Sequence, residues 1–447
     1  MNNLMEDAYV INGGNKLSGE VQISGAKNIA LKTIIAALLF EGTVILENIP
    51  RIGDVNELIN LIRSIGGKAQ FIDINKLQIE GGKFDKNRLD FIFASKVRVS
   101  FLFFAPFLIK FNSAEIPNPG GCRLGARSID RTVTAMKDLS VQIDYDSTTG
   151  YYFAKKTTEI SGIVKFNKST HTGTELMIML AVIGDGQVII ENAAMEPEID
   201  DLINFFNLAG AKIIRNGSTI HITGVKSLSQ KKPYQISFDR NEVATYISLA
   251  LATKGSLLIS NIEKHYIHAL IESIQKMGGS VEEKTNKSWK ISYPASGKLK
   301  AINIETSPYP GFMTDWQPPL AILLTQACGE SIIHERLFEN RFSYVEELKK
   351  LGAQIDFVDI KIKNPHQFYH FNYEEGKKYQ QAISIIGPQK LHGGVLTVSD
   401  LRAGATLAIA GLVAKGESVI NNISVLERGY ERFVEKIQKL GGNIKKI

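Results

Sequence analysis

The chain repeats one pattern six times along its 447 residues, with a period of about 70 positions. Each copy opens with a strand and continues into an apolar helix. It then reaches a glycine and a second strand rich in Val and Ile. An amphipathic helix follows and stops at Gly-Gly or Gly-Ala before a third strand. In copy one these parts fall at residues 21–24, 28–39, Gly42, 44–48, 54–65 and Gly66-Gly67. Copy three repeats them at residues 188–192, 199–208 and Gly210-Ala211. Copies four, five and six close on Met277-Gly278-Gly279, Leu351-Gly352-Ala353 and Leu440-Gly441-Gly442. The terminal glycines suit left-handed helix caps, and Asp54 and Asp200 suit the positive end of a helix dipole. A single β-α-β-α-β-β unit cannot bury its own faces, so the copies must pack on one another.

Six copies predict an α/β protein of two pseudo-threefold domains with three repeats each. Residues 227–233 are polar and end in proline, which puts the break near residues 234–239. We assign residues 26–236 to repeats one to three, and residues 1–25 plus 237–447 to repeats four to six. Copy two is degenerate. It ends at Leu139-Ser140-Val141, and the loop from Gly120 to Arg127 occupies the place of a second strand and turn. Residues 360–391, rich in Lys, Gln, Tyr and His, are expected to form a surface insertion.

The loop Gly120-Gly121-Cys122-Arg123-Leu124-Gly125-Ala126-Arg127 sets a thiol among glycines and two guanidiniums. Nearby cations favour a thiolate and can hold an anion. Two readings fit: a lid carrying a reactive or acid–base cysteine over an anionic substrate, and a satisfied turn around a buried thiol. Cys328, in the apolar run 320–328, is expected in the core. Two cysteines make no disulfide framework and point to a reducing compartment. Residues 1–9 carry no secretory signal, and Lys96, Arg98, Pro106 and Lys110 interrupt the most apolar window, residues 91–111. That window reads as a buried helix with a polar edge, not a membrane span. A formal net charge of +6 without basic blocks suits a small anion better than a nucleic acid.

Charged residues recur at matching points of the repeat. Lys27-Asn28 open the first helix, where free N–H groups and a cation outline a phosphate site. Arg98, Asp315, Arg341, Arg402 and Arg428 fall at related places. Taken singly each is an ordinary surface ion pair; taken together they would converge on one cleft. His366 and His370 have i, i+4 spacing but no acids or cysteines nearby, so no metal site is expected.

These residues carry a resemblance. Residues 23–28, 119–122 with 125–127, 191–194 with 196–198, Thr314-Asp315, 338–342, 400–403 and 428–432 are together similar to the enolpyruvyl transferases of peptidoglycan synthesis, the UDP-N-acetylglucosamine 1-carboxyvinyltransferases. The resemblance runs from Tyr9 to the C-terminus. It implies the enolpyruvyl transferase fold, an inside-out α/β barrel of two threefold domains around an active-site cleft. It also implies transfer of the enolpyruvyl group of phosphoenolpyruvate to the 3′-hydroxyl of the sugar, in the cytoplasm, with no cofactor. By resemblance Cys122 is the general acid and Asp315 the general base. Lys27, Asn28, Arg127, Arg341, Arg402 and Arg428 are assigned to phosphoenolpyruvate. Arg98, Asp54, Arg127, Ser128, Ile129, Asp130, Asp315 and Leu337 are assigned to UDP-N-acetylglucosamine. The implied partners are these two small molecules, with neither nucleic acid nor membrane, and nothing fixes an oligomeric state.

The chain departs from the family pattern in places. Val425 stands where the family has His, Ser128 replaces a common Pro, Arg123 and Arg131 add charge, and Pro318-Pro319 follow Gln317. The nearest rival enzyme is 5-enolpyruvylshikimate-3-phosphate synthase, which shares fold and donor but lacks a cysteine lid. A rival of another class is a catalytically silent protein that binds a nucleotide sugar.

Overall fold

The computed structural model describes residues 7–120 and 129–447. They divide into two compact units, residues 7–24 with 238–447 and residues 25–120 with 129–237. In the first unit, the helices Arg240–Ala252, Gln317–Leu324 and Leu401–Val413 pack against one another. Every residue in them is buried except Val413. A helix apolar on all sides belongs in an interior, and charge is then confined to its ends. Three separate four-stranded sheets lie against these helices. The second unit has the same plan, with Lys27–Ala36 and His171–Ala181 among its central helices. Helices thus lie inside and sheets outside, and no sheet closes into a barrel among the described residues. Nor is any described helix long and apolar enough to cross a membrane.

The strand at the start of copy one serves another repeat. Ser18–Gln22 pairs in parallel with Ser256–Ser260 of copy four. Ala8–Gly13 lies between Gly416–Asn421 and Asn443–Lys446 of copy six. Copy one instead takes its parallel edge strand from Tyr234–Gln235, which pairs with Gly42–Glu47. Pattern reading finds strands but not partners, because register is set by tertiary packing.

Other expectations also need correction. Residues 91–111 are not one helix. Val97 is extended at φ −128°, separating Phe91–Lys96 from the short 3₁₀ turn Arg98–Phe103 and the helix Phe104–Phe111. Cys328 is exposed; it leaves the helix end for a β-bridge with Lys300, outside the core. Residues 360–391 are not all insertion, since Ala382–Gly387 is an inner strand of the fifth sheet. Copy two is degenerate, but its second strand is present at Ser113–Pro117 and is not replaced by the loop from Gly120. Its sheet has three strands, and the parallel edge strand shrinks to a bridge between Arg88 and Glu115.

A local device recurs through the repeats. Five copies place glycine six positions before the residue that ends or follows the second strand: Gly42 and Asn48, Gly186 and Asn192, Gly255 and Asn261, Gly329 and Glu335, Gly416 and Asn422. The four asparagines are left-handed, with φ from 54° to 63°, a conformation Asn tolerates through local hydrogen bonding. Their side-chain amides donate to the carbonyls of Ile236, Phe166, Ile23 and Val398 at 2.7–3.1 Å. Each carbonyl lies just past the adjoining parallel strand, so the asparagine ties the strand pair together.

Inside the second unit, Lys32 Nζ meets Glu175 at 2.9 Å and His171 Nε2 meets the same oxygen at 3.2 Å. Burial opposes charge on both His171 and Glu175, yet Glu175 holds His171 above its ordinary range, and Lys32, with His171 second, holds Glu175 below its own. Lys32→Met leaves a fully buried carboxylate short of its cation, and should destabilise the protein by about 3–5 kcal/mol in urea unfolding. Adding Glu175→Leu should recover much of that loss.

Candidate active site

Asp315 sits in the 3₁₀ turn Thr314–Trp316, which leads into the buried helix Gln317–Leu324. Pro318 and Pro319 occupy the first turn of that helix, where a missing N–H costs nothing. Asp315 Oδ1 accepts from Arg341 Nη2 at 2.6 Å. Its Oδ2 accepts from Asn241 Nδ2 at 3.2 Å and Arg402 Nε at 3.4 Å. Asn241 belongs to the first turn of Arg240–Ala252, which Asp239 caps. Arg402 belongs to the first turn of Leu401–Val413, which Asp400 caps. The N-terminal ends of all three central helices therefore meet at one carboxylate.

Two guanidiniums contact this carboxylate. The Arg341 and Arg402 side chains are 2% and 4% exposed, against 22% for Asp315. Burial works against the charge of Arg402, but Tyr430, Asp315 and Asp239 outweigh it and raise the pKa. Arg341 Nε and Arg402 Nη1 are buried without a hydrogen-bond partner among the described residues. Buried donors of this kind are costly unless an acceptor reaches them. Oriented donors and a partly open carboxylate together suit an anion beside a group that must lose a proton.

Leu337 is half-buried in the loop that leads to Arg341, and its N–H donates to Glu335 at 2.8 Å. Arg428 is half-buried at the end of the short helix Ser424–Glu427. Two residues on, the Tyr430 hydroxyl lies 2.8 Å from that of Thr245, and the Arg402 guanidinium sits 5.3 Å from the Tyr430 ring. Val425 lies in the same short helix.

In the other unit, Lys27 is the first residue of its helix, whose first turn has no acid and whose Ala26 supplies no side-chain cap. Lys27 Nζ lies 2.7 Å from Asp54 Oδ2, both side chains almost buried. Asn28 is half-buried beside it. Asp54 is thus the counter-ion of Lys27. Arg98 opens its 3₁₀ turn half-buried, and burial lowers its pKa. Ile129 is half-buried just before the helix Asp130–Asp138, and Asp130 is exposed in the first turn. Cys122, Arg127 and Ser128 lie outside the described residues.

Sequence reasoning brought out Asp315, Arg341 and Arg402 but missed Asn241. Its signal was a polar residue opening a run that is otherwise the buried core of a helix, Asp239-Arg240-Asn241-Glu242.

Residues 11–437 match the family model for EPSP synthase (3-phosphoshikimate 1-carboxyvinyltransferase). The chain is 37% identical over 452 aligned positions to UDP-N-acetylglucosamine 1-carboxyvinyltransferase of Bartonella quintana, covering 99% of each chain. This chain belongs to the UDP-N-acetylglucosamine 1-carboxyvinyltransferase family. Relatives of that name from Thermodesulfovibrio yellowstonii and Dichelobacter nodosus are 36% and 35% identical, the former covering 99% of this chain and 100% of the relative, the latter 98% of each. Among solved structures, the enolpyruvyl transferase NikO from Streptomyces tendae superposes with a TM-score of 0.84 at 22% identity, over 99% of each chain. An EPSP synthase from Acinetobacter baumannii gives 0.73 at 16% identity, over 99% of this chain and 100% of that one. The carboxyvinyltransferase family thus shares with these structures the fold that carries the Asp315 cluster.

The turn before Lys27 tolerates no side chain at Gly25, where a Cβ would stand 1.7 Å from the Asn48 carbonyl oxygen. Gly25→Ala should destabilise the protein by about 1–3 kcal/mol in urea unfolding, from overpacking alone.

Proposed function

We propose that this chain transfers the enolpyruvyl group of phosphoenolpyruvate to the 3′-hydroxyl of UDP-N-acetylglucosamine and releases inorganic phosphate, an early step toward peptidoglycan. The observation that carries the reading is the Asp315 carboxylate between Arg341 and Arg402, in a chain whose full-length relatives bear that name. We place this reaction in the cytoplasm.

In this reading the sugar oxygen bonds to C2 of phosphoenolpyruvate while its proton passes to Asp315. The double-bond electrons take a proton at C3 from the Cys122 thiol. The resulting ketal then returns a C3 proton to the Cys122 thiolate as its bond from C2 to the phosphate oxygen breaks, which restores the double bond, and phosphate leaves with the proton held by Asp315. Asp315 lies between the two guanidiniums. It is suited to a hydroxyl that turns acidic as its oxygen bonds to carbon. Arg341 and Arg402 stabilise charge on the donor, and as preorganised donors they need no rearrangement during the reaction. Lys27, Asn28, Arg127 and Arg428 complete the donor contacts in the proposal. Arg98, Asp54, Ser128, Ile129, Asp130 and Leu337 hold the sugar nucleotide.

Phosphate release from phosphoenolpyruvate should require UDP-N-acetylglucosamine and should not be supported by shikimate 3-phosphate. The reverse preference would favour the EPSP synthase reading. Asp315→Asn should lower kcat by about 10²–10⁴-fold, the range for loss of a general base. Cys122→Ser should lose most turnover at neutral pH yet still bind the sugar nucleotide.

A further inference from the structure

Glu335 breaks the rule that the other repeats obey. It stands six residues after Gly329, where Asn48, Asn192, Asn261 and Asn422 tie their strand pairs. A carboxylate has no donor to offer a backbone carbonyl. The local polarity is accordingly reversed. Thr306 follows the parallel edge strand Ile304–Glu305, as Ile236, Phe166, Ile23 and Val398 follow theirs. Its hydroxyl donates to Glu335 Oε1 at 2.9 Å. The strand tie survives in another form.

The change brings new partners within reach. Glu335 is fully buried. The N–H groups of Leu337 and Phe338 donate to Oε1 at 2.8 and 3.2 Å. Oε2 accepts the Thr314 hydroxyl at 2.7 Å. Thr314 is the neighbour of Asp315, and Leu337-Phe338 begin the loop that ends at Arg341. Gln381 closes that loop from behind: it accepts from Asn340 N–H at 2.9 Å and donates to the carbonyls of Glu335 and Phe338 at 2.8 and 3.0 Å.

We propose that Glu335 is a positioning residue: its carboxylate clamps the Asp315 turn to the Arg341 loop and so sets their 2.6 Å contact. This rests on the reading of Asp315 given above. Glu335 does not share the left-handed backbone of the four asparagines, and the shorter asparagine here would leave the two catalytic segments untied.

Three variants of the full chain test the clamp. Glu335→Asn keeps a polar side chain one carbon shorter and should fold, with kcat reduced by about 100-fold, the scale of a misplacement near 1 Å. Glu335→Gln keeps the reach and one acceptor, and should stay within about fivefold of the parent. Thr314→Val releases only the Asp315 side of the clamp. It should lower kcat by about tenfold while KM for both substrates changes less than about threefold. Parental kcat in Glu335→Asn, or in Thr314→Val should Glu335→Asn fail to fold, would overturn the clamp. So would a Glu335→Gln as impaired as Glu335→Asn. The unaltered chain is assayed in parallel. If it releases no phosphate with UDP-N-acetylglucosamine, the functional reading fails instead. The clamp is then judged by calorimetric titration of inorganic phosphate, which should bind at least about tenfold more weakly to Glu335→Asn once Arg341 has shifted; equal affinity would overturn it.

Discussion

The site depends on one crowded contact, a carboxylate gripped by two buried guanidiniums. Asp315, Arg341 and Arg402 could not be brought together cheaply on a surface, because exposed ion pairs contribute little and hold no fixed geometry. Here the cost of burying charge is met by the architecture. In the first unit the central helices carry their charged residues only in their first turns. In this unit Asp315, Asn241 and Arg402 all stand at N-terminal ends. There the helix dipole favours negative charge, and Asp239 and Asp400 already cap two of the three ends. The positive side chains therefore add to a field that the backbone already supplies.

Repetition gives the fold its stability and its one informative exception. Four asparagines solve the same problem in the same left-handed geometry. At the fifth position the chain keeps the strand tie through Thr306 and uses the carboxylate of Glu335 to reach the catalytic turn. A repeat protein offers an internal control of this kind. Where one copy abandons a residue that the others need for structure, the departure marks a different task.

Much of this was legible in the sequence because it was local. Glycine after the second helix of five copies, apolar runs for the central helices and the degenerate second copy all follow from short-range rules. Partner choice was not legible. Nothing in Ser18–Gln22 says that it pairs with Ser256–Ser260 more than two hundred positions on. Cys328 and Ala382–Gly387 were misread because composition marks apolarity or polarity but not which side of a strand or which layer receives it. Asp315, Arg341 and Arg402 were recognisable as residues, yet their shared contact with Asn241 came only from folding. Glu335 was visible in principle, by aligning Gly329-Glu330-Ser331-Ile332-Ile333-His334-Glu335 with Gly416-Glu417-Ser418-Val419-Ile420-Asn421-Asn422.

The central claim is that the Asp315 cluster serves transfer of carbon, not of phosphorus. Phosphoenolpyruvate labelled with heavy oxygen in the bridge between carbon and phosphorus decides this, with UDP-N-acetylglucosamine as acceptor and mass analysis of both products. Cleavage at carbon sends the label into inorganic phosphate, and that is the result expected. Label retained in the organic product, with unlabelled phosphate, would mean cleavage at phosphorus and would contradict the account.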